Sequence, residues 1–179
     1  MRNFFLFFCI LSLVAIYSCK RKYPESNPTD KIDKERLLDV SRSVVHDEAK
    51  AIEEFLSRHE WKMKMSGSGL RYEIYKAGNG ANANGNSVLA IAYKVYQLDG
   101  TLCYEFDEAH PQHIVTGRGQ QVKGLEEGLL MMSEGAHARF VVPDHLAYGL
   151  TGDQDKIPPA SALYYDVHLI KIETPPNPK

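Results

Sequence analysis

The spacing of apolar residues changes character along the chain. Residues 31 to about 59 contain neither glycine nor proline, and Leu38, Val45 and Ile52 recur every seven positions with Leu37, Ala49, Phe55 and Leu56 beside them. That pattern predicts one long amphipathic helix, with Thr29 or Asp30 as its N-cap and a helical segment over residues 30–62. After Ser66-Gly67-Ser68-Gly69 the period drops to two: residues 70–75 alternate as a strand, a Gly/Asn-rich loop fills 78–86, and a second extended run, 87–98, ends at the turn signal Asp99-Gly100. Residues 125–132 read as a short helix ended by Gly135, and 138–142 and 163–172 read as two further strands. Antiparallel strands with one short helix predict an α+β domain over residues 68–173, the helix packed on one face of the sheet. The proline-rich tail, 174–179, cannot pair into it.

The apolar stripe of the long helix needs a partner. It can pack on its own domain or against a second copy as a homodimer, and Ser41 and Glu48 interrupt it in either case.

The first residues follow another logic. Arg2 precedes an apolar run at 4–16 that is short for a permanent membrane span and reads as an export signal. It ends at Ile16-Tyr17-Ser18-Cys19, followed by Lys20-Arg21-Lys22, a pattern that resembles a bacterial lipobox. On that reading residues 1–18 are a lipoprotein signal peptide, Cys19 carries the lipid, and 19–29, with Pro24 and Pro28, form a tether. The protein is then anchored to a membrane of the cell envelope, facing the periplasm. An uncleaved anchor or an ordinary signal peptide is the alternative, kept open by the bulk of Tyr17. Of the three cysteines, Cys9 leaves with the signal and Cys19 is acylated, so Cys103 has no partner for an intramolecular disulfide.

Composition adds exclusions. At 179 residues and 44% hydrophobic, the chain has room for one sizeable core, and a formal net charge of -2 offers no basic surface for nucleic acid. His110 and His113 have no cysteine or carboxylate at metal-ligand spacing, so neither a metal nor another cofactor is expected.

Residues 93–173 carry a resemblance. Val122-Lys123-Gly124-Leu125-Glu126-Glu127-Gly128, Met132-Ser133-Glu134-Gly135, Ala147-Tyr148-Gly149 and Ile157-Pro158-Pro159, followed by the strand at 163–172, resemble the FKBP-type peptidyl-prolyl cis-trans isomerases almost without gaps. Ser68-Gly69-Leu70-Arg71-Tyr72 resembles the leading strand of exported bacterial members. With the lipobox, the subtype that the chain resembles is the gliding-motility-associated FKBP lipoproteins. The resemblance implies an antiparallel FKBP-like sheet wrapped on one short helix, isomerase activity in envelope protein folding, and proline-containing polypeptides as substrates. The alternative is a weakly catalytic or non-catalytic module that holds proline-containing segments within an envelope complex such as the gliding machinery.

Such an isomerase needs no acid, base or nucleophile. The barrier of ~18–20 kcal/mol comes from amide resonance, and a site lowers it by binding the twisted amide better than either planar isomer. The resemblance implies Tyr93, Tyr148 and Tyr165 as the catalytic residues, with Cys103, Tyr104, Val122, Leu125 and Ile157 lining the substrate pocket. Leu125 would floor it, the Tyr148 hydroxyl would donate to a substrate carbonyl, and the Val122 backbone N–H would hold another. Val122, Leu125 and Ile157 also suit an apolar core with no catalytic role. The chain departs from the pattern at Cys103 and Tyr104, where the family carries Phe and Asp, and at Gln112 and Lys156, which are polar at the rim. A three-residue insertion would instead recruit Phe106 and Asp107.

Overall fold

The structure is a computed structural model that describes residues 28–173; the expected signal peptide, Cys19, most of the tether and the tail at 174–179 lie outside the described residues. Helix α1 (Pro28–Ser57) is followed by strands β1 (Lys64–Met65), β2 (Arg71–Lys76), β3 (Val88–Gln97), β4 (Leu102–Phe106) and β5 (Gln112–Val115). Helix α2 (Lys123–Leu129), strand β6 (His137–Val142), 3-10 turns at Asp144–Leu146 and Gly149–Thr151, and strand β7 (Leu163–Glu173) complete the order. The strands form one sheet in the order β1-β2-β6-β7-β3-β4, with β5 also on β3, and every pairing is antiparallel. This is the expected α+β fold. The strands β1 and β5 lie where the alternating pattern is too short to read.

The chain divides into two compact units, residues 1–41 and 42–179. Of the first, the described part is the helical backbone from Pro28 onward.

In the second unit, strand parity decides what faces inward. Along β7, Leu163, Tyr165, Val167 and Leu169 are buried while the residues between them are only partly so, the signature of a sheet with one face against a core. Leu89, Ile91, Tyr93 and Val95 of β3 join the same core. Helix α2 closes that face with Gly124, Leu125, Gly128 and Leu129 buried. Its two glycines lie one turn apart and make the approach close: a Cβ on Gly124 would run into a Val142 methyl, and one on Gly128 would lie 2.6 Å from Phe140 Cζ.

The opposite face of the sheet receives the end of α1. Ile52 and Phe55 are buried with Val141 and Ala162, and Leu56, Trp61 and Tyr164 pack around them. Trp61 stacks on Tyr164 at 5.0 Å, the Arg139 guanidinium lies 4.9 Å above the Trp61 ring, and Arg71 pairs with Glu53 at 2.7 Å. The last turns of the stripe are therefore covered by the chain's own domain. Val45, 62% exposed, is not, and the side chains of Leu37 and Leu38 lie outside the described residues. The helix stops at Ser57, five residues before the sequence-based limit of 62, because 58–59 turn back on hydrogen bonds to the Phe55 and Leu56 carbonyls.

Gly128→Ala tests the helix–sheet approach. Alanine favours a helix by about 1 kcal/mol over glycine, yet the Phe140 clash should outweigh it and leave the protein about 1–3 kcal/mol less stable, measured by urea unfolding.

Candidate active site

Antiparallel register sets the walls. Tyr93 of β3 pairs with Val167 and Phe106, and Val95 pairs with Tyr165 and Tyr104. Directly opposed residues share a face, so Tyr93, Tyr165, Tyr104 and Phe106 all turn toward the inner face. The ring centres of Tyr93 and Tyr165 are 6.1 Å apart, and Phe106 stacks on Tyr93 at 5.0 Å. Leu125, fully buried in the first turn of α2, lies in the same cluster. Val122 packs against it as the extended residue before α2, with its carbonyl accepting the Glu126 N–H at 3.1 Å.

A bulge brings residues of both registers, Cys103 and Tyr104 as well as Phe106, to the same cluster. Pairing passes from Val95–Tyr104 to Tyr96–Leu102, leaving Cys103 as the extra residue. A bulge lets two successive side chains face one way. Cys103 is accordingly buried, a free thiol inside the core cluster, while Tyr104 and Phe106 pack at its edge. Asp107 lines a cleft with Tyr93 and Phe106, and its carboxylate accepts the His110 backbone N–H at 2.7 Å and caps the turn after β4. Gln112, polar where an aromatic often stands in the family pattern, has a definite partner, since the Tyr93 hydroxyl donates to its Oε1 at 2.7 Å.

The remaining side is the 143–157 segment. A 3-10 turn at Asp144–Leu146 leads into Tyr148, which is half-buried against the cluster. On its flank a cleft of about 510 Å³ is bounded by Gln121, Val122, Lys123, His145 and Tyr148. Ile157 is buried in the cluster and fixed by Asp153, whose Oδ1 accepts the backbone N–H of Ile157 at 2.8 Å and of Asp155 at 3.0 Å. The other Asp153 oxygen accepts a short hydrogen bond from the Tyr104 hydroxyl. The phenol at 104 thus meets a carboxylate delivered from the opposite loop. Lys156 lies over the Tyr104 ring with its Nζ 5.0 Å from the centre.

All eight sequence-predicted pocket residues meet: Tyr93, Cys103, Leu125, Ile157 and Tyr165 inside one cluster, and Tyr104, Val122 and Tyr148 against it. Sequence reasoning missed Asp153 as a neighbour of that group. The visible signal was a carboxylate five residues after Tyr148 and four before Ile157, though nothing local says that it reaches β4. Cys19 lies outside the described residues. One group of metal-ligand type, Glu48, Asp144 and His145, occurs among the described residues. Its Glu48 carboxylate is engaged by the Asp144 backbone N–H at 2.6 Å and acts as a cap on the turn.

Electrostatically the cluster holds neutral phenols. Burial pushes the Tyr148, Tyr93 and Tyr165 hydroxyls above their ordinary range, so each stays protonated and able to donate at any physiological pH. Asp153 goes the other way. Burial alone would raise it, but the hydrogen bonds from Tyr104 and from the backbone of Ile157 and Asp155 win and lower it.

The family profile described as FKBP-type peptidyl-prolyl cis-trans isomerase matches residues 80–170. The chain belongs to that family. The FKBP relatives include a probable FKBP-type peptidyl-prolyl cis-trans isomerase FkpA of Neisseria meningitidis, 34% identical over 127 residues, covering 70% of this chain and 46% of that protein. Human peptidyl-prolyl cis-trans isomerase FKBP2 is 41% identical over 90 residues, 48% of this chain and 61% of that protein. Among solved structures, FkpA from Escherichia coli superposes with a TM-score of 0.63 at 25% identity, over 94% of this chain and 82% of that one. The chain therefore spans less than two thirds of the length of both curated relatives.

The lowered Asp153 group gives a pH prediction. A carboxyl that binds its proton more weakly when folded contributes stability above its ordinary range and loses it as pH falls through the depressed folded value. Protection of the Ile157 and Asp155 backbone amides, taken relative to the exchange of an unstructured chain at the same pH, should fall below about pH 4, while the β7 amides stay protected. Unchanged Ile157 protection down to about pH 2 would count against the clasp.

Proposed function

We propose that the chain is a lipid-anchored peptidyl-prolyl cis-trans isomerase that assists folding of exported or envelope proteins. The observation that carries the reading is the convergence of Tyr93, Tyr148, Tyr165, Leu125, Val122 and Ile157 on one apolar cluster in an FKBP-family fold. A proline ring enters over Leu125 between the Tyr93 and Tyr165 rings. The Tyr148 hydroxyl, kept protonated by its burial, donates to a substrate carbonyl, and the Val122 backbone N–H holds a second. The planar amide is the more polar form and loses more by leaving water, so the apolar walls favour the twisted one. No cofactor is needed for that step.

The envelope location and the lipid on Cys19 rest on the apolar run at 4–16 and on Ser18-Cys19. Among the described residues no helix is long and apolar enough to cross a membrane. The same lipobox, with the Ser68–Tyr72 segment, is the basis for placing the chain near the gliding-motility-associated lipoproteins. Homodimerisation through α1 rests on the part of its stripe that includes the exposed Val45.

A second reading, a module that holds proline-containing segments with little turnover, is favoured by one residue. Position 104 carries a neutral phenol where the family pattern has a carboxylate.

Two measurements test these readings. The mature chain, residues 19–179, should accelerate exchange across an Xaa-Pro bond, and Tyr148→Phe, which removes one hydrogen bond worth about 1 kcal/mol, should lower kcat/KM about fivefold. Exchange at the background rate with peptide still bound would transfer the function to the holding module. Separately, cells given a labelled fatty acid should incorporate it into the full chain and not into Cys19→Ser; equal labelling of both would overturn the anchor.

A further inference from the structure

The Tyr104–Asp153 clasp leaves a charge that its own contacts do not cancel. Asp153 accepts from two backbone N–H groups and one phenol, all neutral donors, which use about three of a carboxylate's four acceptor positions and none of its negative charge. Those bonds also stop the group from rotating away. It is held between β4 and Ile157, at the edge of the cluster that contains Ile157, Cys103 and Tyr165. Asp155 adds a second carboxylate, its Oδ2 at 3.3 Å from the Tyr104 hydroxyl. The one cation in the same stretch, Lys156, lies over the Tyr104 ring with its Nζ 5.0 Å from the ring centre. Two carboxylates, of which Asp153 is the one held on several hydrogen bonds, thus outnumber one cation at this rim.

The field reaches the pocket. Burial is the main reason that Tyr165, Tyr148 and Cys103 hold their protons more tightly than usual, and the Asp153 charge adds to it in all three. The same charge acts on Tyr148, the hydroxyl on which the isomerase reading places the substrate carbonyl. The cleft on the other flank of Tyr148 is lined by Lys123, His145, Gln120 and Gln121 and by no carboxylate; Asp144, behind it, pairs with His145 at 3.8 Å.

We propose that Asp153, fixed by Tyr104, is a specificity-determining residue that selects Xaa-Pro bonds in which the residue before proline is Lys or Arg. The proposal rests on the isomerase reading above and deepens it. A charge of this kind at a partly exposed rim contributes modestly and is screened by salt. Selectivity should be clear in paired peptides and should fade as ionic strength rises.

The test uses the full mature chain and three tetrapeptides identical except for Lys, Leu or Glu before proline. Wild type should turn over the Lys peptide with kcat/KM about five times that of the Glu peptide at low salt. Asp153→Asn keeps an oxygen for the two backbone N–H groups, and its Lys-to-Glu ratio should fall toward one. Lys156→Gln removes the competing cation, and its ratio should rise about twofold. This variant leaves the loop's own hydrogen bonds intact, so it decides the matter even if the Asp153 variant folds poorly. Equal rates for Lys and Glu peptides in wild type, or a Lys156→Gln ratio that falls, would overturn the proposal. Should wild type catalyse none of the three, the isomerase reading fails by itself. The charge selection is then read from the dissociation constants of the same peptides, where tighter binding of Lys than Glu sustains it and equal binding rejects it.

Discussion

Helix α2 lies on the sheet with glycine at positions 124 and 128, and its depth there governs everything above it. Gly128 meets the Phe140 ring and Gly124 meets Val142, so the helix approaches a sheet of large side chains without pushing it away. Leu125, between these contacts, then reaches full burial beside the inward rings of β3 and β7. A helix held farther out would leave Leu125 above a void, and interiors tolerate voids poorly. The full burial of Leu125 is a consequence of two missing methyl groups.

Much of this was legible in the sequence because it depends on local period. The alternation at 163–172 fixes which residues of β7 share a face, whereas β3 is buried almost continuously and the meeting of Tyr93 with Tyr165 was implied by the family resemblance. The short helix and the Asp99-Gly100 turn, where Gly100 takes φ +94, carry equally local signals. The bulge at Cys103 was not legible, because it is a property of β4 paired on β3 and has no signature within β4 alone. That is why two registers stood open for residues 103–107. The bulge turns Cys103 inward beside Tyr104 and brings Phe106 against Tyr93, which no single register of a regular strand achieves.

Asp153 escaped for a related reason. Its role joins residues 49 positions apart through a hydrogen bond to Tyr104, and a loop of Gly, Asp, Gln and Lys carries no pattern that predicts such a partner. Read alone, position 104 suggests a pocket that has lost its carboxylate. With Asp153 opposite, the neighbourhood keeps a phenol and a carboxylate, with the acid now on the loop. The acid then also orders the loop, since its Oδ1 holds the backbone of Asp155 and Ile157, so charge and pocket shape are set by one side chain.

A second long-range contact ties the site to the helix that precedes the domain. Glu48 of α1 accepts the Asp144 backbone N–H at 2.6 Å, at the head of the 3-10 turn that carries the chain to Tyr148. The turn needs such a cap, since Pro143 before it offers no side-chain acceptor and an unmet N–H there would cost about 1–3 kcal/mol. Burial raises the Glu48 carboxyl above its usual range, a cost offset by that bond and by the apolar seating of Ile52 and Phe55 one and two turns on. The end of α1 is thus part of the scaffold for Tyr148, and the domain that presents the pocket begins structurally before residue 68, where the family resemblance begins.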